Sequence, residues 1–376
     1  MFTGIWRELN YLIQHKWDLC LVTLAPLFIV VLFSCMFAQG KPEHLPIAII
    51  DQDQSTLSRN IERYIALNHT LHIKDQTQSQ DEAERLLNQN KIWGYVHIPS
   101  GAEQRLVQAK DAEISIVFNQ SYFSIGNAIS SAMLASTLEA LANFMGKDYL
   151  ENDIPYLDVP TPNVKISPLY NPELNYELYL EPYMIPAILH LLMCCCVAFS
   201  VGQELKYKTT KQWLNDQTFA QAILSKNLVY ILIFSAWTWL WMIWLVGIRG
   251  WFVAGHLWLI LLGQVFFYSA YAFISTVIVL ITKDLSKTFG LIAVYGGSSL
   301  SFAGVTLPLN NAPLFTKFWA HIIPYTPYAK LQTEQWVIGS PVASSITPLI
   351  VLLIYVIFYF SLAVFLFKKY IKGMQA

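Results

Sequence analysis

The sequence predicts a polytopic α-helical membrane protein with six transmembrane helices and an α/β extracytoplasmic domain inserted between helices 1 and 2. Three observations predict it. The 376 residues are 55% hydrophobic and only 13% charged, with mean hydropathy +0.42, where a soluble domain carries about 25% charged residues. Apolar runs long enough to cross a bilayer flank one long polar stretch. Lysine and arginine alternate between connecting segments, being dense in one set and sparse in the other.

Residues 1–17 read as an interfacial amphipathic helix. Phe2, Ile5, Trp6, Leu9, Leu12 and Ile13 recur at helical spacing, and Arg7, Glu8, Asn10, Gln14 and His15 fill the other face. Residues 18–39 form the first expected span, charge-free from Leu19 to Ala38. The long amphipathic lead-in and the missing cleavage pattern argue for an uncleaved span rather than a signal peptide.

Residues 40–181 turn polar. Strand-like runs at Pro46–Ile50, Leu71–Lys74, Ile92–Ile98 and Glu113–Asn119 alternate with helical runs capped by Ser55 or Thr56, from Gln80 and from Gly101. Asp51 and Asp53 could suggest a metal site, but at a strand end before Ser55 they read as strand termination and helix capping. The uncharged stretch Ile114–Leu138 contains too many Ser, Asn and Thr residues for a lipid-facing helix. We expect a long soluble helix over 122–144, then a proline-rich return at 154–172.

Residues 182–376 carry five further expected spans, near 183–201, 227–248, 256–281, 288–307 and 346–367. One set of segments holds Arg7, Lys16, Lys206, Lys208, Lys211, Lys226, Lys283, Lys287, Lys368, Lys369 and Lys372. The other set, outside the polar domain, holds only Arg249, Lys317 and Lys330, so both termini are expected in the cytoplasm. Segment 308–336 is apolar but broken by four prolines and is expected to be re-entrant or outer-surface.

The candidate functional stretch is 202–216, wedged between two expected spans. It would form a short helix over Glu204–Asp216 on the cytoplasmic face, with Trp213 and Leu214 as docking knobs, or a solvated spacer whose lysines set topology. Glu177 and Glu181, with Glu173, share one helical face and could form an acidic mouth for a cationic substrate, or plain interfacial solvation. His190, midway along a span, could contact a substrate or proton, or bond a neighbouring helix. Ala293, Gly297, Ser301 and Gly304 repeat small residues at a spacing that permits close helix packing or dimerisation. The five cysteines all lie in apolar runs and read as small packing residues.

Several blocks carry a resemblance. Glu204-Leu-Lys-Tyr-Lys-Thr209-Thr-Lys-Gln-Trp213-Leu214, followed by Lys226, resembles the post-ectodomain loop of ABC-2 type exporter permeases, with Lys208 where that family places a Gly before Thr. The similarity extends to Ile49–Arg59, to Tyr170-Asn171-Pro172, and to Gly304–Pro313 with Ile323–Tyr328. The resemblance implies a bacterial inner-membrane export permease with Glu204, Thr209, Trp213 and Leu214 coupling to a separate cytoplasmic ABC ATPase subunit. It further implies a second permease subunit and allows a periplasmic adaptor protein. Membrane lipids are expected partners and nucleic acid is not. No phosphate-binding G-x-x-x-x-G-K-[ST] loop and no hydrolase motif occurs, so no ATP hydrolysis, cofactor or metal is expected of this chain. A membrane-anchored sensor or assembly scaffold is the other function these features fit.

Overall fold

The computed structural model describes residues 1–38, 40, 42–108, 110–121, 123–145, 175–214, 217–306 and 309–373. It divides into two compact units, one of Met1–Ala38 with Glu177–Ala376 and one of Gln39–Tyr176.

The smaller unit is α/β. Its described elements are β1 (Leu45–Asp51), α3 (Thr56–Ala66), β2 (Leu71–Thr77), α4 (Gln80–Asn88), β3 (Gly94–Ile98), α5 (Ala102–Val107), β4 (Ser115–Phe118) and α6 (Phe123–Asn143). The sheet order is β2-β1-β3-β4, with β1 parallel to β2 and β3 and β4 antiparallel to β3. β1 is apolar on both faces because both are covered. Ile47 and Ile49 pack with Leu57, Ile61 and Ile65 of α3 and Ile129 and Met133 of α6, whereas Ala48 and Ile50 pack with Ala83 of α4. Burial against α3 accounts for one face of the uncharged stretch at 114–138, while Leu134 and Leu138 on the other stay exposed, and α6 is not among the helices apolar enough to cross a membrane.

Asp51 and Asp53 are consumed by the backbone. Asp51 accepts from the amides of Asp53 and Gln54 at 3.0 and 2.9 Å. Asp53 caps α5, accepting from Gly101, Ala102 and Glu103 at 2.6, 3.1 and 3.0 Å. Ser55 caps α3 in a reciprocal box with Ser58. The proline-rich return and the Tyr170-Asn171-Pro172 block lie outside the described residues.

The larger unit is a helical bundle. It contains α1 (Phe2–Gln14), α2 (Lys16–Phe37), α7 (Tyr176–Lys206), α8 (Thr210–Leu214), α9 (Phe219–Gly247), α10 (Leu257–Thr282), α11 (Leu285–Gly297), α12 (Ser299–Phe302), α13 (Leu314–Ile322), α14 (Tyr325–Gln332), a π-helical turn at Thr333–Ile338, and α15 (Val342–Gly373). Among the described residues five helices are long and apolar enough to span: α2, α7, α9, α10 and α15. The sixth expected span, 288–307, is not one continuous helix. It breaks at Ser298 between α11 and α12, and the 13 residues of α11 rise only about 20 Å, short of the ~30 Å hydrocarbon core.

The direction of the helices shows what that broken segment does. Lys283, capping the end of α10, lies 5.5 Å from the Tyr370 ring near the end of α15. At their other ends, the His256 amide donates to Gln335 Oε1 at 2.8 Å, and Gln335 Nε2 donates to Ser345 Oγ at 2.8 Å. So α10 and α15 run the same way, and residues 283–341 carry the chain back along the bundle. Prolines 313, 324 and 327 sit at helix starts, where a missing amide costs nothing. The return is buried in its second half, at Tyr325, Tyr328, Leu331, Gln332 and Trp336, and exposed in its first, at Leu314, Phe315 and Phe318.

On α1, Phe2, Trp6 and Ile13 are exposed to the surroundings of the chain, as is Trp17 at the start of α2. These exposed apolar side chains lie along one stripe of the helix. Glu8, expected on its polar face, is instead turned inward and 4% exposed.

Candidate functional site

The stretch 202–216 does not form one helix. Its first part continues α7, so Glu204 belongs to the end of a spanning helix. A turn at Tyr207–Lys208 follows, and Lys208 takes φ +57°, the left-handed region that glycine favours. The resemblance placed a Gly there, and the chain keeps the turn while paying the Cβ strain. Thr209 then locks the turn onto Glu204: its amide donates to the Glu204 carbonyl at 3.0 Å and its hydroxyl to the Glu204 carboxylate. The five-residue α8 ends the motif, and Asp216 lies outside the described residues.

Trp213 and Leu214 are not outward docking knobs. Trp213 is 4% exposed, with its ring 4.3 Å from Phe367 of α15 and its Nε1–H donating to the Ala222 carbonyl of α9 at 3.0 Å. Leu214 is half-buried against the bundle core. A large aromatic ring gains more by filling this cleft than by standing in water. The exposed face of the loop is Lys206, Tyr207, Lys208, Lys211 and Gln212.

Beneath the loop lies a buried charge network that composition and spacing did not reveal. Lys226 of α9 donates to Glu8 Oε2 at 2.7 Å and to Glu204 Oε1 at 3.1 Å, and all three are nearly fully buried. Arg7 reaches Glu204 Oε1 at 2.6 Å. Ser200 and Tyr230 donate to Glu8 Oε1 at 2.5 and 2.8 Å, and Tyr11 bonds Gln203. Burial pushes the Glu8 carboxyl up, but the Lys226 charge and the hydrogen bonds from Lys226, Ser200 and Tyr230 together hold it below the ordinary carboxylate range. Two acids and two bases balance within this cluster, and the Lys226 ammonium also lies 5.4 Å from the Trp213 ring. The available signal was a lone lysine, Lys226, within the apolar run from Phe219.

The other end of the bundle corrects the acidic mouth. Glu177 is 2% exposed and paired bidentately with Arg249, Nε to Oε1 at 2.7 Å and Nη2 to Oε2 at 3.2 Å. Trp251 Nε1 donates to the same carboxylate at 2.7 Å, and Arg249 also bonds the Ala38 carbonyl at 2.7 Å. Glu181 is fully buried, its Oε1 accepting from Ser34 at 2.8 Å and Trp241 at 2.9 Å. A buried, arginine-neutralised carboxylate ties helix ends together and presents no open acidic surface. Glu173 lies outside the described residues.

His190 is fully buried in α7, with Nδ1 3.3 Å from the Pro186 carbonyl. Rings of Tyr271, Phe267 and Tyr325 surround it at 4.3, 5.4 and 5.9 Å. The small-residue stripe divides in two. Gly296 faces α7, where a Cβ would meet Leu191 Cδ2 at 2.6 Å. Ala293, Gly297 and Ser301 face outward, with nothing within 4 Å of a Cβ at Gly297, and Gly304 takes φ +81° just beyond α12.

A bundle of five long apolar helices with an α/β unit inserted between the first and second defines a multi-pass helical membrane protein. The chain belongs to the ABC-2 family: a profile described as "ABC-2 family transporter protein" matches residues 16–365, nearly its whole length. It is similar to the protein named "Probable multidrug ABC transporter permease YbhR" of Escherichia coli K12 and to its namesake of Escherichia coli O157:H7. Each is 24% identical over 225 residues, 57% of this chain and 57% of the relative. The match thus spans somewhat over half the length of these relatives. No solved structure matches the chain significantly.

Proposed function

We propose that this chain is the permease subunit of a bacterial inner-membrane ABC exporter, driven by ATP hydrolysis in a separate cytoplasmic subunit. Family membership and the permease named among its relatives support this reading. One structural observation carries the mechanism. The loop after α7 is bonded to four helices: Glu204 ends α7 and reaches Arg7 of α1 and Lys226 of α9, while Trp213 is wedged between α9 and Phe367 of α15. A push on the loop is therefore shared by all four.

In this reading the exposed Lys206, Tyr207, Lys208, Lys211 and Gln212 meet the ATPase, and the buried Glu204, Thr209, Trp213 and Leu214 pass its motion inward. Both termini lie in the cytoplasm, and α11 with α12 completes a sixth crossing. The α/β unit is extracytoplasmic and open to an adaptor protein. A second permease subunit packs against the outward stripe of Ala293, Gly297 and Ser301. The substrate class is a hydrophobic or amphipathic molecule, drug-like or lipid-like, as the relative's multidrug name suggests. His190, Glu177 and Glu181 then act as internal supports of the path, not as its mouth.

Co-purification from the native membrane tests the reading. We expect an ABC ATPase to travel with the chain and to dissociate when Lys206, Lys208 and Lys211 are all changed to Glu. If no ATPase accompanies the wild-type chain, the export reading fails and a sensor or scaffold takes its place.

A further inference from the structure

One layer of the bundle, on the Glu181 side of the helices, concentrates polar side chains whose hydrogen-bonding capacity the chain itself does not meet. Glu181 Oε2, both amide atoms of Gln332 and Trp336 Nε1 are all enclosed and have no hydrogen-bond partner within the described chain, and Gln264 Oε1 and Tyr328 Oη have no well-aligned partner beyond each other's side chain. The five residues are 0–1% exposed. Buried polar atoms are normally satisfied, and leaving one unsatisfied costs about 1–3 kcal/mol. Four such atoms, beside a Gln264–Tyr328 pair with capacity to spare, are not left dry in a stable bundle.

They are also contiguous. Trp241 donates to Glu181 and stacks on Trp336 with ring centroids 6.0 Å apart. Gln332 lies between Trp336 and Tyr328, four residues from each, on one side of α14 and the π-helical turn. Tyr328 stacks on Phe267 at 4.3 Å, one turn from Gln264 on α10, and the Gln264 amide lies alongside its hydroxyl. The row thus runs Glu181, Trp336, Gln332, Tyr328, Gln264 between α7, α9, α10 and α14. Its atoms are mixed: the indole and amide N–H groups donate, the amide and carboxylate oxygens accept, and the tyrosine does both. That alternation matches water, which donates two hydrogen bonds and accepts two, and does not match an ion or an apolar ligand.

We propose that this row is an internal water-binding site, holding a short hydrogen-bonded file of waters that ends on Glu181. The site is built on α7, α10, α14 and the π-helical turn, apart from the Glu8–Glu204–Lys226 network, and stands whether or not the loop docks an ATPase. Its polar atoms already hold water, so separation of α14 from α10 would expose little that must be newly hydrated.

Radiolytic hydroxyl-radical footprinting of the full chain in lipid nanodiscs tests it, because ordered internal water oxidises adjacent aromatic side chains that bulk solvent cannot reach. Tyr328 and Trp336 are expected to label several-fold faster than Tyr271 and Tyr325. Those two are equally buried but already bonded to Ser299 and to the Tyr183 carbonyl. The label at Tyr328 and Trp336 should incorporate oxygen-18 slowly after dilution into oxygen-18 water, and Gln332→Leu should lower it at both while leaving Tyr325 unchanged. Labelling of wild-type Tyr328 and Trp336 no faster than Tyr271 and Tyr325 overturns the proposal, whatever the variant does.

Discussion

Single residues account for much of how the loop and the α/β unit hold their shape. Lys208 sits in the left-handed region at a modest strain, so Lys208→Gly should stabilise the turn by about 0.5–1 kcal/mol, the relief of Cβ strain less the added flexibility of glycine. Slower amide hydrogen exchange at Tyr207–Trp213 would register it, and faster exchange would show the turn to be held by other means. Asp53 behaves differently with pH. Burial pushes its carboxyl up, but the bonds from Ser55 and the amides of Glu103, Gly101 and Ala102 hold it below the usual range. Its folded value lies below its unfolded one near 3.9, so its contribution is present above that value and is lost as pH falls through the lowered one. Protection factors at α5, with the intrinsic pH dependence of amide exchange divided out, should fall as pH drops below about 4 in the wild type, and Asp53→Asn should flatten that dependence. Asp53 was legible as a capping residue, but not as the cap of α5, because its partners lie 48–50 positions away.

At the scale of elements, the ion network joins α1, α7 and α9 through one ammonium. Lys226→Met would leave Glu8 and Glu204 facing each other without their shared cation, a change that costs about 3–5 kcal/mol when a buried pair is broken. Thermal unfolding in detergent should show a clear loss of stability, with partial recovery when Glu8→Gln is added, because the second change removes one uncompensated charge. Equal stability of the single variant and the wild type would mean the network is solvated. Sequence pattern located α1 and the apolar runs of α7 and α9, since period and apolar length are local properties. It did not turn Glu8 inward or bury Trp213, because those depend on which helix lies alongside, and no window of one helix contains that information. The break of the 288–307 span was equally hidden, since Ser298 and its neighbouring glycines leave the apolar composition intact.

Taken whole, the bundle has two tied ends and an apolar core in which a few polar side chains are buried. Arg249 and Trp251 close one end over Glu177, and Lys226 with Trp213 closes the other under the loop. The α/β order and the long apolar helices were legible because alternation, charge segregation and length survive in a single sequence. The parallel run of α10 and α15, and the return between them, emerge only from tertiary contacts at both ends. The central claim is that motion of the loop reaches the spans through the buried Trp213. Its most direct measurement is ATP-driven substrate transport by the permease reconstituted with its co-purified ATPase, comparing wild type with Trp213→Ala. Loss of the ring removes buried contact worth about 3–5 kcal/mol at that wedge. We predict that the variant inserts and retains its ATPase but transports little per ATP hydrolysed. Wild-type transport per ATP by a folded Trp213→Ala protein would contradict the account and leave the loop a spacer.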